Sequence, residues 1–418
     1  MSLDDLTANA RKYVPQLKLL LAQLERELPD AVVLRHELHA TPELGYVEFE
    51  TSRIVAEALP VRSSSLLQTG ILARVGRGAP TAIGVRAELD GLPLAELTNA
   101  PFAATNGCMH ACGHDVHLAA LVALVRAAHR MADELPAPLL AIFQPSEERH
   151  PSGALALTES PELRDAVRAV VAAHLHPDLS WGTVGAEPGV VNAAADAAEI
   201  VVEGVAGHGA YPHRARDPVL ALAHVVVALH SIVGRRVDPT HGAAITVGML
   251  SAGATENVIP ARAEARATLR ALDIVDQGIL RDAVRATVEG IAGAFGCSGT
   301  VAFTKSEPPL VNDATLAAAV RQLGPEAGSC IAPPWRSCGG DDFAHYGALA
   351  PSLMVFVGLH DAASFTPVPL HHPEFLAPDE AVGMVARAQA LAYIAACTAY
   401  QVSEVDDPMP GRSAVNHS

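Results

Sequence analysis

Three short stretches decide the fold: VRAELDGLP (residues 85–93), LLAIFQPSEE (139–148) and VVAAHLHP (170–177). Each opens on a brief apolar run and ends in a turn that carries carboxylate or imidazole groups. Apolar runs bounded this way read as strands buried on both faces. Residues Ala82–Ala87, Pro138–Phe143 and Ala169–Ala173 are predicted strands, and Leu118–Met131 is a predicted helix. Strands alternating with helices imply parallel βαβ units. Upstream, residues 14–38 predict a surface helix, with Leu17, Leu20, Leu24 and the adjacent Leu21 forming one apolar stripe.

From residue 196 the rhythm changes. Ala198–Glu203 and Ala244–Leu250 read as strands, with a helix over Pro218–Arg235 between them. The stretch ARAEARATLRA (261–271) alternates small apolar with polar residues, the mark of a half-exposed strand. A helix over Ile274–Phe295 and a strand near Thr300–Phe303 complete the order β-α-β-β-α-β, a split βαβ sandwich. The predicted fold class is therefore α/β. A catalytic domain with a mostly parallel central sheet flanked by helices spans 1–195 and 306–418, and a ferredoxin-like domain over 196–305 is inserted in it. The last dozen residues, rich in Asp, Pro, Gly and Ser, read as a loose tail.

Bulk composition agrees with two domains: 418 residues exceed one comfortable core, and half of them are hydrophobic. A formal net charge of −17 repels phosphate backbones and anionic membranes, so no nucleic-acid or membrane partner is expected. Six scattered cysteines make no disulfide framework. The opening residues show no basic start followed by an apolar run, and no uncharged apolar stretch reads as long enough to span a bilayer. A cytoplasmic protein is the expectation.

The densest chemical signal is NGCMHACGHDVH (106–117). Cys112 and His114 offer a thiolate and an imidazole two residues apart, with Cys108, His110, Asp115 and His117 close by. Ligand-type residues converging in one Gly-flanked turn suggest a metal site. A Cys112 nucleophile with a His base is the competing reading, but it leaves the other ligand-rich segments unused. Those segments follow predicted strands: Glu88 and Asp90 after the first, Glu147 and Glu148 after the second, His174 at the end of the third. In parallel sheets sites form beyond the strand C-termini, so all three point to one rim. His371 and His372 add a Pro-bounded pair.

In this order HACGHD, QPSEE, the AAHLHP segment, GHGAYPHRARDP, TENVIP, GGDDF and LHHPEF resemble the motifs of aminoacylase-like metallopeptidases, in the branch of hippurate hydrolases and hydrolases of indole-acetyl amino acid conjugates. The resemblance runs from about residue 33 to 395. It implies hydrolysis of the amide bond of N-acyl amino acids by a metal-bridging water, with a small-molecule substrate, a homodimer, and an inserted domain acting as lid and dimerisation element. It implies Cys112 as a thiolate bridging two divalent cations, His114, Glu148, His174 and His371 as further ligands, and Glu147 as general base. The motif favours His371 over His372. Asp90 matches a catalytic aspartate, Asp115 would orient a ligand, His208 would hold the oxyanion, and Asn257 and Arg270 would hold substrate.

The chemistry is coherent. Two cations together acidify a bridging water and polarise a carbonyl. Glu147 then takes the proton and returns it to the departing amine. A thiolate with imidazoles suits Zn²⁺, and the carboxylates admit Mn²⁺, Co²⁺ or Ni²⁺. Two departures bear on substrate choice: Asp341 stands where the family's Gly-Ser-Glu-Asp-Phe has Glu, and ELDGLP replaces the commoner Asp-Met-Asp-Ala-Leu-Pro. The alternatives are a dipeptidase or carboxypeptidase on the same scaffold, against which Cys112 speaks, and a non-catalytic metal-binding protein, against which Glu147 speaks.

Overall fold

The three apolar runs form neighbouring parallel strands. In the computed structural model, which describes residues 3–400, Leu139–Gln144, Ala82–Glu88, Val167–Ser180 and Ser352–His360 lie side by side in that order, all parallel. Glu88 is therefore the last residue of its strand. His174 lies inside a strand that runs on to Ser180, beyond the predicted end. The parallel centre has antiparallel flanks: Ser63–Leu66 and Gly70–Val75 on one side, Thr183–Gly185 on the other. With Cys330–Ile331 the mixed sheet has eight strands. The predicted tail lies outside the described residues.

Alternate residues of the central strands, among them Val85, Ala141, Val171 and Val355, enter one core. Helices Leu3–Ala40, His114–Arg130 and Glu380–Ala399 pack around it, with the shorter Ala314–Leu323 beside them. The first is longer than the predicted 14–38 and is not a mere surface helix. Leu17, Leu20 and Leu24 are fully buried because they pack on the other two helices and not on solvent. Burying each contributes roughly 1.5–3 kcal/mol. Helix His114–Arg130 is buried on nearly every side, so its ends, not its flanks, are left for chemistry.

The chain divides into two compact units. The one just described comprises Met1–Pro188, Asn312–Pro334 and the segment from Tyr346; the smaller comprises Gly189–Val311 and Trp335–His345. In the smaller unit four antiparallel strands are ordered Ala243–Ala252, Arg262–Ala271, Ala194–Glu203, Ser298–Glu307. This is the β-α-β-β-α-β order, with helices Pro218–Arg236 and Ile274–Ala294 over one face. Along Arg262–Ala271 the alternation works as read: Ala263, Ala265, Ala267 and Leu269 are buried, while Arg262 and Arg266 stand out near Glu203 and Glu199 at 3.6 and 3.5 Å.

Among the described residues, Pro218–Arg236 and Glu380–Ala399 are long and apolar enough to cross a membrane by length and composition, although each carries charged residues and neither is an uncharged span. Glu380–Ala399 is a core helix, buried at almost every residue. Pro218–Arg236 lays Ala221, Leu222, Val225, Leu229 and Ile232 on its own unit's sheet.

Helix Leu3–Ala40 is also tied to the start of helix His114–Arg130 by charge. Arg35 Nε and His39 Nδ1 lie 2.7 and 2.8 Å from Asp115 Oδ2, and His39 Nε2 lies 3.1 Å from Glu96. Asp115, expected to orient a ligand, instead takes these two partners, because its side chain turns toward the long helix. Burial raises its pKa, but Arg35 and His39 outweigh that and hold it well below the usual carboxylate range. Burial likewise pushes His39 down, yet Asp115 outweighs it and raises His39 to about 9.

A raised folded-state pKa gives stability that is complete below the unfolded value and is lost as pH climbs through the folded one. For His39 that window runs from 6.5 to about 9. The melting temperature should fall across this interval in the wild type. In His39→Gln it should be lower at pH 6 and fall less steeply. Parallel pH profiles for the two proteins would remove His39 from this account.

Candidate metal centre

The parallel strands end on one rim of the larger unit, and the ligand-type side chains collect there. The turn after Leu139–Gln144 is held from below. The amide of Ser146 donates to Glu48 Oε1 at 2.8 Å, that of Glu147 to Asp90 Oδ1 at 3.0 Å, and that of Glu148 to Asp90 Oδ2 at 2.9 Å. Three successive N–H groups thus converge on two fully buried carboxylates. Burial, then the charge of Glu148, pushes the Asp90 carboxyl well up, against the pull of the two amides. Asp90 therefore lies beneath the glutamates as their anchor.

Gly113 opens helix His114–Arg130 with φ 84, a left-handed conformation that glycine tolerates at little cost. A Cβ there would also lie 2.9 Å from Leu175. The turn delivers His114 with Nδ1 2.8 Å from the carbonyl of Asp90 and with Nε2 buried and lacking a hydrogen-bond partner. His174 repeats the arrangement: Nδ1 meets the Leu175 carbonyl at 2.7 Å, and Nε2 stands 3.5 Å from Cys112 Sγ. A carbonyl on Nδ1 fixes the proton there and leaves the Nε2 lone pair for a cation. Burial lowers the pKa of both rings, His174 strongly, which keeps them neutral as ligands must be.

His371 has φ 64, rare for a residue with a side chain, and its amide donates to the Ala111 carbonyl at 2.9 Å. This brings Nε2 3.1 Å from Glu148 Oε1. His372 points elsewhere, its Nδ1 accepting from the amide of Glu374. Burial raises the Glu148 carboxyl, but His371 outweighs it and the net shift is downward.

Ligand atoms of Cys112, Glu148 and His371 lie within 4.8 Å of one another, as do those of His114, Glu147 and Glu148. The two groups share Glu148. One thiol, two imidazoles and two carboxylates at such spacing, with His174 Nε2 3.5 Å from the thiol and the buried His114 Nε2 lacking a partner, suit soft-to-borderline divalent cations. Cys108 and His110 join neither group among the described residues. Burial holds His110 down to about 3, so it is neutral. Two contributors went unnoticed in the sequence: Glu48, lost among the acids of ELGYVEFE, and the pairing of Glu88 with His117, whose distance of 29 residues carries no spacing signal.

In the smaller unit, Gly207–His208 pairs with Val258–Ile259, and the amide of Gly209 donates to the Asn257 carbonyl at 2.8 Å. His208 and Asn257 are thus on one zipped pair of loops. His208 Nδ1 accepts from the amide of Ala210 at 3.0 Å, which leaves Nε2–H as a donor when the ring is neutral. Arg270 is apart from them on the open sheet face, half-buried, with Nη1 3.3 Å from its neighbour's carbonyl.

Comparison with known proteins accords with this geometry. Residues 84–393 match the model of peptidase family M20/M25/M40. The chain is 34% identical over 368 residues to an N-acetyl-L-cysteine deacetylase of Bacillus subtilis, covering 87% of this chain and 86% of that protein. It is 35% identical over 360 residues to an N-acetyldiaminopimelate deacetylase of Anoxybacillus flavithermus, covering 84% and 93%. Among solved structures, the YXEP protein of Bacillus subtilis, described as a dinuclear metal-binding peptidase of the M20 family, superposes with a TM-score of 0.76 at 29% identity, covering 88% of this chain and 98% of that one. With more than half its length matched by the family model and relatives above 30% identity over most of both chains, the chain belongs to peptidase family M20/M25/M40.

Proposed function

We propose that this metal-dependent amidohydrolase cleaves the amide bond of N-acyl amino acids, releasing a carboxylic acid and an amino acid. The observation that carries the reading is the pair of neutral, carbonyl-oriented imidazoles, His114 and His174, presenting Nε2 beside Cys112 and the two glutamates. Deacetylases of N-acetylcysteine and N-acetyldiaminopimelate among the relatives support the N-acyl class. Cys112, His114, Glu148, His174 and His371 hold two divalent cations, with Mn²⁺ or Zn²⁺ ahead of Co²⁺ and Ni²⁺ on the donor set. When bound, the cations acidify water and polarise the amide carbonyl.

The chain's own residues do the rest. Glu147, tied by its amide to Asp90, accepts the proton from the attacking water and delivers it to the leaving amine. Glu148 beside it serves as ligand, so two adjacent glutamates divide the work. His208 supplies its Nε2–H to the developing oxyanion, while Asn257 and Arg270 hold the substrate, the guanidinium being suited to a free carboxylate. The enzyme acts as a homodimer whose inserted domain, 196–305, serves as lid and dimerisation element. It works in the cytoplasm, where the six cysteines, which form no disulfide, stay reduced. Assays of Mn²⁺-, Zn²⁺- and Co²⁺-loaded protein against N-acetyl, N-benzoyl and long-chain N-acyl amino acids and against dipeptides test the reading. Preference for dipeptides would overturn it.

Elemental analysis should find well under two metals per chain in Cys112→Ala, because Cys112, which lies with Glu148 and His371 and 3.5 Å from His174 Nε2, would on this reading be a ligand to both cations. Two tightly held metals with normal turnover in that variant would rule out the bridge.

Glu147→Gln keeps size and polarity but loses the basic lone pair. Its metal content should survive while kcat falls by about 10²–10⁴. Near-normal turnover would refute Glu147 as the base.

His208→Ala should keep both metals and an unchanged KM but lose about 10²–10³ in kcat, because a donor aimed at the oxyanion acts mainly in the transition state. An unchanged kcat would remove His208 from the chemistry.

A further inference from the structure

Leu175 sits where the sheet opens. Strand Ala82–Glu88 accompanies Val167–Ser180 only as far as the pairing of Arg86 with Ala172, whereas Ser352–His360 continues beside it past Leu175. Backbone groups facing the missing neighbour need other partners, since a buried unpaired N–H costs on the order of 1–3 kcal/mol. At Leu175 both are taken by imidazoles. Its N–H donates to His117 Nε2 at 3.0 Å, and its carbonyl accepts from His174 Nδ1 at 2.7 Å.

The first of these bonds fixes the state of His117. An Nε2 that accepts carries no proton, so the proton is on Nδ1, where it donates to Glu88 Oε2 at 2.9 Å. Glu88 can only accept. Its other oxygen is held by Arg86, and all three side chains are fully buried. His117 stands one helical turn after His114, and a ligand atom of each of Glu88, His114, His117 and His174 lies within 4.8 Å of the others. That cluster resembles a four-ligand cation site. Yet both ring nitrogens of His117 are spent, one as donor and one as acceptor, which leaves it no lone pair for a metal.

We infer that the Glu88–His117 pair is a positioning device for His174: by gripping the Leu175 amide it holds the Leu175 carbonyl where His174 must place its Nδ1 proton, and so aims His174 Nε2 at the metal centre beside Cys112. The two rings also touch edge to face, with centroids 4.6 Å apart, so His117 limits rotation of His174 directly as well. The inference rests on the reading of His174 as a ligand.

Two amide substitutions separate the functions of the His117 ring. His117→Gln places a carbonyl oxygen near the old Nε2 and keeps the acceptor for Leu175. His117→Asn keeps a donor near the old Nδ1 for Glu88 but abandons Leu175. Each holoprotein is loaded with Co²⁺. Its visible ligand-field bands are recorded and its stepwise affinities measured by chelator competition, with circular dichroism reporting the fold. The Asn variant should weaken one of the two cobalt sites by about 10–100-fold and shift its bands, the usual scale for a lost partner behind a ligand. The Gln variant should stay close to wild type. Equal behaviour of the two variants, whether both intact or both impaired, would overturn the inference. Should the Asn protein not fold, the Gln protein decides alone, since loss of one cobalt from folded Gln protein also overturns it. His174→Ala is run alongside. If it leaves both affinities unchanged, the ligand assignment fails and the inference falls with it. If it loses a cobalt while the Asn variant keeps two, the inference alone is wrong.

Discussion

Everything at the metal centre depends on where three consecutive amides point. Ser146, Glu147 and Glu148 aim their N–H groups at Glu48 and Asp90, which fixes the backbone that carries the two glutamate side chains. A carboxylate in a buried site is costly unless hydrogen bonds replace its water. Burial pushes both Glu48 and Asp90 toward the neutral form, and the amides oppose that. The turn and its anchors therefore stabilise each other. The geometry is tight: Ser146 adopts φ 52, and a Cβ on Gly45 would come within 2.5 Å of its hydroxyl. Such strain persists only where the surroundings over-determine it.

The same economy governs the imidazoles. His114 gives Nδ1 to the Asp90 carbonyl, just past the end of strand Ala82–Glu88, and His174 gives Nδ1 to the Leu175 carbonyl, inside its own strand but past the end of that same neighbour. The sheet's unpaired rim thus becomes the orienting shell of the centre. This accounts for the position of the ligands just beyond Glu88 and Gln144, and for His174 lying inside its own strand but past the end of the neighbouring one.

How much of this was legible in the sequence follows from which signals are local. The buried parallel strands were readable because each is a continuous apolar run, and Arg262–Ala271 because its period is two. The edge hairpin Ser63–Val75 was not: its turn holds Leu67 and Gln68 at positive φ, where the usual cue is Asn-Gly. The depth of helix Leu3–Ala40 was misjudged because an apolar stripe looks the same whether it packs on a sheet or on two other helices. Ligand types and their segments were legible as motifs. Their orienting partners were not, because Glu48 reaches Ser146 across 98 residues and Arg35 reaches Asp115 across 80.

Asp115 shows why motif adjacency misleads about partners. It is next to His114 in sequence, and on a helix consecutive side chains diverge by about 100°. His114 faces the strand ends, so Asp115 must face elsewhere, and what lies there is Leu3–Ala40 with Arg35 and His39. His117, three residues on, returns to the His114 face and meets Glu88. One turn of helix therefore serves two purposes: positions 114 and 117 address the metal centre, and position 115 locks the helix that carries them to the rest of the core. A substitution at Asp115 would reach the centre through that helix, whereas one at His117 would reach it through Leu175 and His174.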